Sequence, residues 1–535
     1  MRTPGASARL LRLKGGRGPE SRSVLLAGES AAAEPPARPP GSLWVVFAAC
    51  LALGALSLLL YATPTYDPWA WILWGREIVH LDLVTEGGPS WKPLPVLFTT
   101  VFSLFGEDTA PVLWLAVARA GGLLACVMAF RVAYRLAGGG LAGALGGAAC
   151  TLLLLTSLNF VRDALMGNSE ALMVALVLLA FERHLDGRRD HALYFGLAAA
   201  LLRPEVWPFL GLYGLFLLLR EPALRLRTLL LGLLVPLLWF GPELWGSGQA
   251  LRAATRATNP NRGSAAFADS PSLELLERFA DTLVMPVKVG AALAVAWALY
   301  SYLRHRRHGP VLALFGGGCA WFALVAVMTE AGYAGNQRYL IVSSAAFTIL
   351  AGVGVAFTLQ GAGTLAERLT GRDWGRPVAV ALAFAVILAA GVRLEADTGT
   401  SFVRKLQRSM RYESSLWPNL ERVIAAAGGK ERLKACGGLY SGPYQTQMVA
   451  YELGVHGSDV RSLEGTPPPG AAFRTRTLPR GPLVIMLTDP RRRYRQIARV
   501  ENWRVLTVPP IGSRDCPAAG ADAPRAPAGG RVSAG

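Results

Sequence analysis

Long apolar segments recur along this chain and constrain its fold more than any other feature. A helix that crosses a bilayer needs about 20 apolar residues. We identify about eleven such segments by this length criterion, at residues 43–61, 110–135, 139–158, 168–183, 191–203, 206–219, 228–245, 282–302, 310–328, 339–360 and 377–394. Two of them are short and could form one broken helix, 191–203 and 206–219. The sequence, with 52% hydrophobic and 17% charged residues, therefore predicts an α-helical polytopic membrane protein.

The positions of the arginines predict the orientation of these helices. A formal net charge of +18 would suggest nucleic acid as partner of a soluble protein, but here the basic residues cluster in short connections. These are RVAYRLAG, ERHLDGRRDH, REPALRLR, YLRHRRHG and AERLTGRDWGRP, on the same predicted side as the arginine-rich N-terminus. The positive-inside rule places that side in the cytoplasm. We expect a multi-pass plasma-membrane protein with an extracytoplasmic C-terminus and no nucleic-acid partner.

Changes in composition divide the chain into four regions. Residues 1–42 are rich in Gly, Ala, Pro, Arg and Ser and are predicted to be a disordered cytoplasmic tail. The transmembrane domain covers 43–395, a small extracytoplasmic α/β domain covers 396–515, and a low-complexity disordered tail covers 516–535. The predicted outer loops of the transmembrane domain are 62–109, 159–167, 246–281 and 329–338. Long loops of this kind are usually functional. We therefore predict that 246–281 is a partly mobile lid over the site. The alternative is that this segment is a plain connection.

The cysteines fall into two groups. Four lie inside predicted spans and are interpreted as small packing residues: Cys50, Cys126, Cys150 and Cys319. Cys436 and Cys516 lie in the exported region, where a disulfide is chemically permitted, and we expect them to pair.

An acid follows the first apolar segment directly, in YATPTYDPWAWILWGREIVHLDL. Asp67, Trp71, Trp74 and Ile78 recur at helical spacing, which predicts one face of a helix lying in the membrane interface, where tryptophan is favoured. Asp67 also precedes Pro68 and is a candidate N-cap. The two interpretations of Asp67 are compatible, because a cap fixes the position of a carboxylate.

The order of motifs from this acid onward resembles the GT-C membrane glycosyltransferases, especially their aminoarabinose-transferase and protein O-mannosyltransferase branch. An acid and a juxtamembrane helix are followed by Trp91, by Lys92-Pro93-Leu94-Pro95 where that branch has KPPL, by an FG turn and by a long span ending in arginines. The resemblance covers about residues 43–395 and is strongest over 61–220. It implies a GT-C-like fold and a polyprenyl-phosphate-linked sugar donor reached from the membrane lipids.

The resemblance leaves two candidates for a second functional acid. Where the family has Asp-Pro, this sequence offers Asp163 and Glu170. Glu170 could instead be an acid of the first helical turn that the helix dipole favours, with Asn168 or Ser169 as the N-cap. Arg162 could form a surface ion pair with Asp163. Arg203 and Arg338 lie at span boundaries, where they could snorkel, but the family places an arginine there against the donor phosphate.

These residues predict a one-step inverting sugar transfer. Asp67 would be the catalytic base, Glu170 or Asp163 would place the acceptor, and Lys92, Arg203 and Arg338 would bind the leaving phosphate. Trp71, Trp74 and Trp91 would anchor the site at the interface. The acids could hold a divalent metal, although their spacing does not demand one, and no other cofactor is indicated.

The acceptor stays open at this point among a cell-envelope glycan, a lipid and a protein. Two other functions also remain open, a transporter or flippase for a lipid-linked glycan and a non-catalytic membrane scaffold. A transporter would be expected to show internal repeats and charges near the midplane.

Overall fold

The computed structural model describes residues 41–517, except 62, 261–262, 372–374, 490–493 and 513–514. Residues 1–40 and 518–535 lie outside this range, so the predicted disorder of the two tails stays a prediction.

The first half of the described chain is helical throughout. Ten α-helices follow one another with short connections: α1 Leu43–Leu56, α2 Tyr66–Val79, α3 Pro93–Ser103, α4 Thr109–Leu136, α5 Gly140–Thr156, α6 Leu158–Leu165, α7 Glu170–Leu185, α8 Arg189–Ala200, α9 Trp207–Arg220 and α10 Arg225–Ser247. Six more continue to the C-terminal domain: α11 Arg252–Ala257, α12 Pro271–Thr282, α13 Met285–His305, α14 Gly309–Glu330, α15 Ile341–Thr370 and α16 Gly375–Ala426.

Fewer helices than predicted are long and apolar enough to cross a membrane. Within the described residues 5 qualify, Thr109–Leu136, Pro222–Ser247, Met285–His305, Gly309–Glu330 and Gln337–Thr370, or 6 if α5 and α6 form one span bent by 73°. A count of eleven is therefore not confirmed. The reason is length, because α8 has 12 residues and α9 has 14, and a helix rises only about 1.5 Å per residue against a hydrocarbon core of about 30 Å.

Helix α15 is packed tightly between α5 and α13 through glycines. A Cβ atom added at Gly352 would collide with the carbonyl oxygen of Gly146, and one added at Gly354 would collide with that of Gly290. Small residues allow helix backbones to approach this closely. Because α15 is fixed in this way, the short 3₁₀ turn before it, Gln337–Leu340, holds Arg338 at one end of the helix bundle.

The C-terminal domain is a small mixed sheet with three helical segments. It contains β1 Leu439–Ser441, β2 Val460–Arg461, β3 Gly470–Arg476, β4 Leu483–Val484, β5 Arg495–Val500 and β6 Trp503–Val508, together with α17 Lys430–Lys434, α18 Thr446–Leu453 and the end of α16. The strand order is β2-β1-β3-β6-β5, with β4 beside β3. Strand β1 is parallel to β2 and β3, whereas β6 is antiparallel to both of its neighbours. Cys436 and Cys516 form the expected disulfide.

The sheet is attached to the helical part in two ways. Helix α16 runs without a break through the predicted boundary at residue 395, and Trp503 Nε1 donates to the Leu416 carbonyl at 2.8 Å. Helix α18 packs on α2, where Arg76 donates to the carbonyl of Tyr451 at 2.9 Å. Tyr451 in turn donates its hydroxyl to the Glu107 carbonyl at 2.6 Å. The domain therefore covers α2.

The positions of three tryptophans correct their predicted role. Trp71, Trp74 and Trp91 are all buried inside the protein, so they do not form an anchor at the membrane interface. The rings of Trp71 and Trp114 pack edge to face at 5.5 Å, and those of Trp74 and Trp91 lie 5.3 Å apart. Sequence periodicity could not show this, because the elements that bury α2 come from distant parts of the chain.

Candidate functional site

The structure brings all six predicted charged residues to one end of the helix bundle. Each reaches the site from the boundary of a helix: Asp67 from the first turn of α2, Lys92 from before α3, Asp163 from α6, Glu170 from the start of α7, Arg203 from after α8 and Arg338 from before α15. Charges at helix ends meet here because the apolar middles of these helices pack together.

Glu170 is the centre of this group. Its side chain is 0% exposed, and its Oε1 atom accepts from Arg203 Nη1 at 3.1 Å and lies 3.6 Å from Lys92 Nζ. Arg338 Nε lies 4.0 Å from the same oxygen. The other oxygen, Oε2, is buried and has no hydrogen-bond partner among the described residues. One buried carboxylate therefore holds three cations in place.

Asp67 forms a direct ion pair with Arg338. Arg338 Nη1 donates to Asp67 Oδ2 at 2.8 Å. Helix α2 begins at Tyr66, after Thr65 as N-cap, so Asp67 lies inside the first turn. The prediction of Asp67 as the N-cap is therefore wrong by two positions, because the helix starts before Pro68.

Lys92 and Arg203 each have further partners besides Glu170. Lys92 Nζ donates to Ser169 Oγ at 2.9 Å and lies 4.9 Å from the centre of the Trp71 ring. The Arg203 guanidinium lies 4.1 Å from the Tyr339 ring centre, and its Nη2 donates to Glu205 Oε1 at 2.9 Å. Cation–π contacts of this kind stabilise a charge without neutralising it.

Asp163 lies on the connection between α5 and α7 and has a different partner from the one expected. Its Oδ1 accepts from Asn168 Nδ2 at 3.3 Å. Arg162 does not pair with Asp163 but lies 3.6 Å from Glu413 of α16. The prediction of a local Arg162–Asp163 pair is therefore wrong, and Arg162 instead links the site to the helix that carries the C-terminal domain.

A cavity of about 1160 Å³ opens beside these charges. Three of the six line it, Asp67, Asp163 and Arg338, while Lys92, Glu170 and Arg203 lie behind them. One part of the wall comes from apolar residues of the helix bundle: Leu153, Leu154, Leu283, Val284, Val287 and Ile341. Another comes from the C-terminal domain: Pro443, Tyr444, Gln445, Met448, Thr477 and Leu478. The charged residues thus line a space that has both an apolar wall and a wall from the soluble domain.

The predicted lid also contributes to this cavity. Arg256 of α11 and Arg278 of α12 line it, and neither was selected from the sequence. The segment is tied down at its beginning, because Arg252 Nε donates to the buried Glu243 at 2.8 Å and Arg252 Nη2 donates to the Pro89 carbonyl at 3.0 Å. The only feature of the sequence that could have indicated Arg256 and Arg278 as cavity residues was the basic composition of 246–281.

No metal centre is visible in the part of the chain that the structure describes. There, no group of three or more His, Cys, Asp or Glu side chains is placed to hold an ion. Asp67 and Glu170 instead face cations, so protein side chains neutralise these two acids.

Comparison with known proteins gives similarity at the level of structure. No family model matches the chain, and no curated protein matches it either. Two crystal structures of ArnT from Cupriavidus metallidurans are similar to it over most of its length. The structure bound to undecaprenyl phosphate has a TM-score of 0.47 and 15% identity and covers 87% of this chain and 98% of that chain. The apo structure has a TM-score of 0.48 and 16% identity and covers 87% and 97%.

Proposed function

We propose that this chain is an inverting membrane glycosyltransferase that moves a sugar from a polyprenyl-phosphate-linked donor to an acceptor on the extracytoplasmic side. The observation that carries the proposal is the Asp67–Arg338 pair, 2.8 Å apart, in the wall of a cavity that also has an apolar side. A lipid-linked donor needs these features together, since its tail is apolar, its phosphate is anionic and its sugar must meet a base.

Arg338 is the residue that contacts the donor phosphate. Its guanidinium lines the cavity, and its side chain is 32% exposed, whereas Lys92 and Arg203 are almost completely buried. An arginine can bind phosphate by two parallel hydrogen bonds. Lys92 and Arg203 then act through Glu170, which pairs with both of them behind Arg338 and also lies 4.0 Å from Arg338 Nε, so that the cation facing the leaving phosphate is held in place.

Asp67 is the base. The acceptor hydroxyl oxygen bonds to the anomeric carbon while the bond from that carbon to the phosphate oxygen breaks, and the bonding electrons leave with the phosphate. The hydroxyl proton passes to Asp67, whose Oδ2 is released when the phosphate takes its place on Arg338. A single displacement through an oxocarbenium-like state inverts the anomeric centre. The phosphate needs cations rather than a general acid.

Asp163 is assigned to the acceptor side. It lines the cavity, whereas Glu170 does not, so Asp163 can accept a hydrogen bond from the acceptor and Glu170 has the positioning role described above. This division uses both acids that the sequence left as alternatives.

The orientation of the chain is part of the proposal. Arg131 and Arg135, near the end of α4 away from the site, pair with Glu182 at 3.0 Å and Asp186 at 2.6 Å, so the arginine-rich connections RVAYRLAG and ERHLDGRRDH meet at that end. The positive-inside rule then assigns that end to the cytoplasm and the site with the C-terminal domain to the outside.

The test is sugar transfer by the purified full chain in nanodiscs. Undecaprenyl phosphate carrying a radiolabelled sugar is supplied with a cell-envelope extract as acceptor, and wild type is compared with Asp67→Asn and with Asp108→Asn, an exposed acid just before α4. We expect Asp67→Asn to bind the lipid but transfer at least about 100-fold more slowly, as general-base loss requires, and Asp108→Asn to match wild type. Wild-type rates in Asp67→Asn would reject the base. Donor binding without transfer by the wild type would favour a transporter or a scaffold.

A further inference from the structure

Three arginines lie side by side on the sheet of the C-terminal domain. Arg474 of β3 is paired directly with Arg504 of β6, and Arg504 is paired directly with Arg499 of β5. Residues directly opposite each other on antiparallel strands project from the same face. Since neighbouring strands lie about 4.8 Å apart, the three side chains form a row, which we call the arginine row. Arg499 is exposed, and Arg474 and Arg504 are half-buried.

Among the described residues, no carboxylate forms an ion pair with the arginine row. The acid nearest to it in sequence, Glu501, lies in the turn between β5 and β6. By contrast, three other cations of the same domain each pair with an acid, namely Lys430, Lys434 and His456. Burial and the charge of Arg504 lower the pKa of Arg474. Like charges directly opposite each other on neighbouring strands destabilise a sheet, so the row does not serve folding.

The chain itself does not offer the negative charge that the row lacks. Residues 470–508, which run from β3 to β6, contain nine arginines and two acids. Residues 518–535, which follow the described range, contain one Asp and two Arg. A second copy of a chain with a net charge of +18 is not electrostatically complementary to the row either. The anionic partner is therefore a different molecule.

The arginine row lies on the face of the sheet that points away from the helical part. On the other face, Trp503 Nε1 donates to the Leu416 carbonyl of α16 at 2.8 Å. The next residue of α16, Trp417, packs edge to face against Trp69 of α2 at 5.0 Å between ring centres. Helix α16 thus lies between the sheet and α2. Because side chains alternate along a strand, Arg504 points away from the face of Trp503. In the proposed orientation, the row faces the extracytoplasmic space rather than the bilayer.

The spacing and the chemistry of the row fit a chain of phosphates. A guanidinium binds phosphate through two parallel hydrogen bonds, and three guanidiniums on adjacent strands can bind three groups of one chain. The row follows the twist of the sheet, because each strand is rotated by about 20–25° relative to the next. A phosphodiester chain carries its charges in a flexible backbone that can follow this twist, whereas a carboxylated polysaccharide carries them on rigid rings.

We infer that the arginine row binds a phosphodiester-linked polymer of the cell envelope, whose phosphates pair with Arg474, Arg499 and Arg504. The inference rests on the proposed function only for the side of the membrane on which the domain lies. The row is a docking surface and takes no part in the transfer of the sugar.

The experiment is a binding titration of the full chain in nanodiscs of neutral phosphatidylcholine. Fluorescent poly(glycerol phosphate) is the probe, and neutral dextran, polygalacturonate and polyglutamate of matched length are the comparison ligands. We expect poly(glycerol phosphate) to bind the wild type, with an affinity that falls as salt screens the charges, and dextran not to bind. Replacement of both Arg499 and Arg504 by Gln should weaken binding about three- to thirtyfold, as loss of two partly exposed ion pairs predicts. Arg474 is kept, because its Nε donates to the Ile485 carbonyl at 2.7 Å.

The matched control is the double variant Arg432→Gln with Arg461→Gln. Both of these arginines are exposed in the same domain, outside the row, so the control loses the same charge and should bind the polymer almost as the wild type does. Thermal unfolding is measured on all three proteins. The variant of the row should unfold at no lower temperature than the wild type, because it loses a repulsion between like charges. That result separates loss of the partner from loss of the fold.

Four results would overturn the inference. They are failure of poly(glycerol phosphate) to bind the wild type, equal weakening by the two double variants, equally tight binding of polygalacturonate or polyglutamate, and displacement of the polymer by phosphatidylglycerol vesicles but not by phosphatidylcholine vesicles. The last would assign the row to membrane headgroups. Each of them leaves the proposed function standing, because sugar transfer and its dependence on Asp67 are measured separately. Polymer binding without any sugar transfer would reject the proposed function and leave the docking surface in place.

Discussion

Arg338 and Asp67 are 271 positions apart in sequence, and a 2.8 Å hydrogen bond joins them across the cavity wall. The pair connects the start of α15 with the first turn of α2. Because each residue also faces the cavity, a ligand phosphate can compete with Asp67 for Arg338. In the proposed function, the donor phosphate would displace Asp67 from Arg338 and so free the proposed base.

Replacement of Arg338 by Gln should reduce both donor binding and transfer. Without the guanidinium the phosphate loses its direct cation, and transition-state stabilisation of this kind is worth about 100- to 1000-fold in rate. The measurement is kcat and KM for the lipid-linked donor, beside Arg304→Gln as control, since Arg304 is exposed at the end of α13. An unchanged kcat/KM in Arg338→Gln would show that the phosphate binds elsewhere.

Sequence reasoning found the residues of this site because of where charges stand relative to apolar segments. Charges are costly inside a bilayer, so those at the ends of adjacent helices collect where the helices meet. Position alone indicated Asp67, whereas Lys92, Arg203 and Arg338 were also selected because the resembled family has a KPPL segment and a span-boundary arginine at these places. The sequence could not show which of them face the cavity, because that depends on packing between α2, α7 and α15.

The helical character and the C-terminal sheet were also predictable, but their details were not. Apolar windows located helices, and they marked 191–203 and 206–219 as short, but both were still counted among eleven spans, whereas 5 or 6 described helices are long and apolar enough. The small α/β domain was predicted from composition, but its strand order, β2-β1-β3-β6-β5 with β4 beside β3, was not. The burial of Trp71 depends on contacts with Thr99 of α3 and Trp114 of α4, and contacts as distant as Arg76 to Tyr451, 375 positions apart, leave no local signal.

Loss of the Glu170 charge should destabilise the helical domain. Glu170→Gln leaves Lys92, Arg203 and Arg338 without the carboxylate they share, and removal of one partner from a buried ion pair costs about 3–5 kcal/mol. Thermal unfolding in detergent measures the loss. Glu367→Gln is the matched control, because Glu367 and Arg376 are 3.7 Å apart on the surface, and an exposed pair contributes at most about 1 kcal/mol. Equal effects of the two substitutions would contradict the central position of Glu170.

Reduction of the Cys436–Cys516 disulfide should loosen the C-terminal domain. The bond closes a loop across a sequence separation of 80 residues, and closing a loop of this size stabilises a domain by about 2–4 kcal/mol in typical cases. Limited proteolysis should cut Cys436→Ser within the domain at lower temperature than the wild type. Cys319→Ser, which changes an unpaired cysteine of α14, is the control and should leave the cleavage temperature unaltered.

The contact of the C-terminal domain with α2 should weaken as pH rises above about 6.5, the ordinary pKa of histidine. His456 Nδ1 lies 2.9 Å from Glu77 Oε1, and its Nε2 lies 3.4 Å from Asp82. Burial lowers the pKa of His456, but the hydrogen bond and charge of Glu77 and the charge of Asp82 outweigh it and raise that pKa. Burial also raises the pKa of Glu77.

Both shifts have the same sign of effect on stability. A raised histidine pKa means that the folded state binds the proton more tightly, so its stabilisation is complete below the unfolded pKa and is lost as pH rises through the folded pKa. A raised Glu77 pKa likewise makes folding less favourable as that group ionises.

Hydrogen exchange of α18 amides between pH 5.5 and 8.5 measures the contact, after correction for the intrinsic exchange rate. Protection should fall with pH in the wild type and stay flatter in His456→Gln, and parallel profiles for the two proteins would exclude His456 as the titrating group.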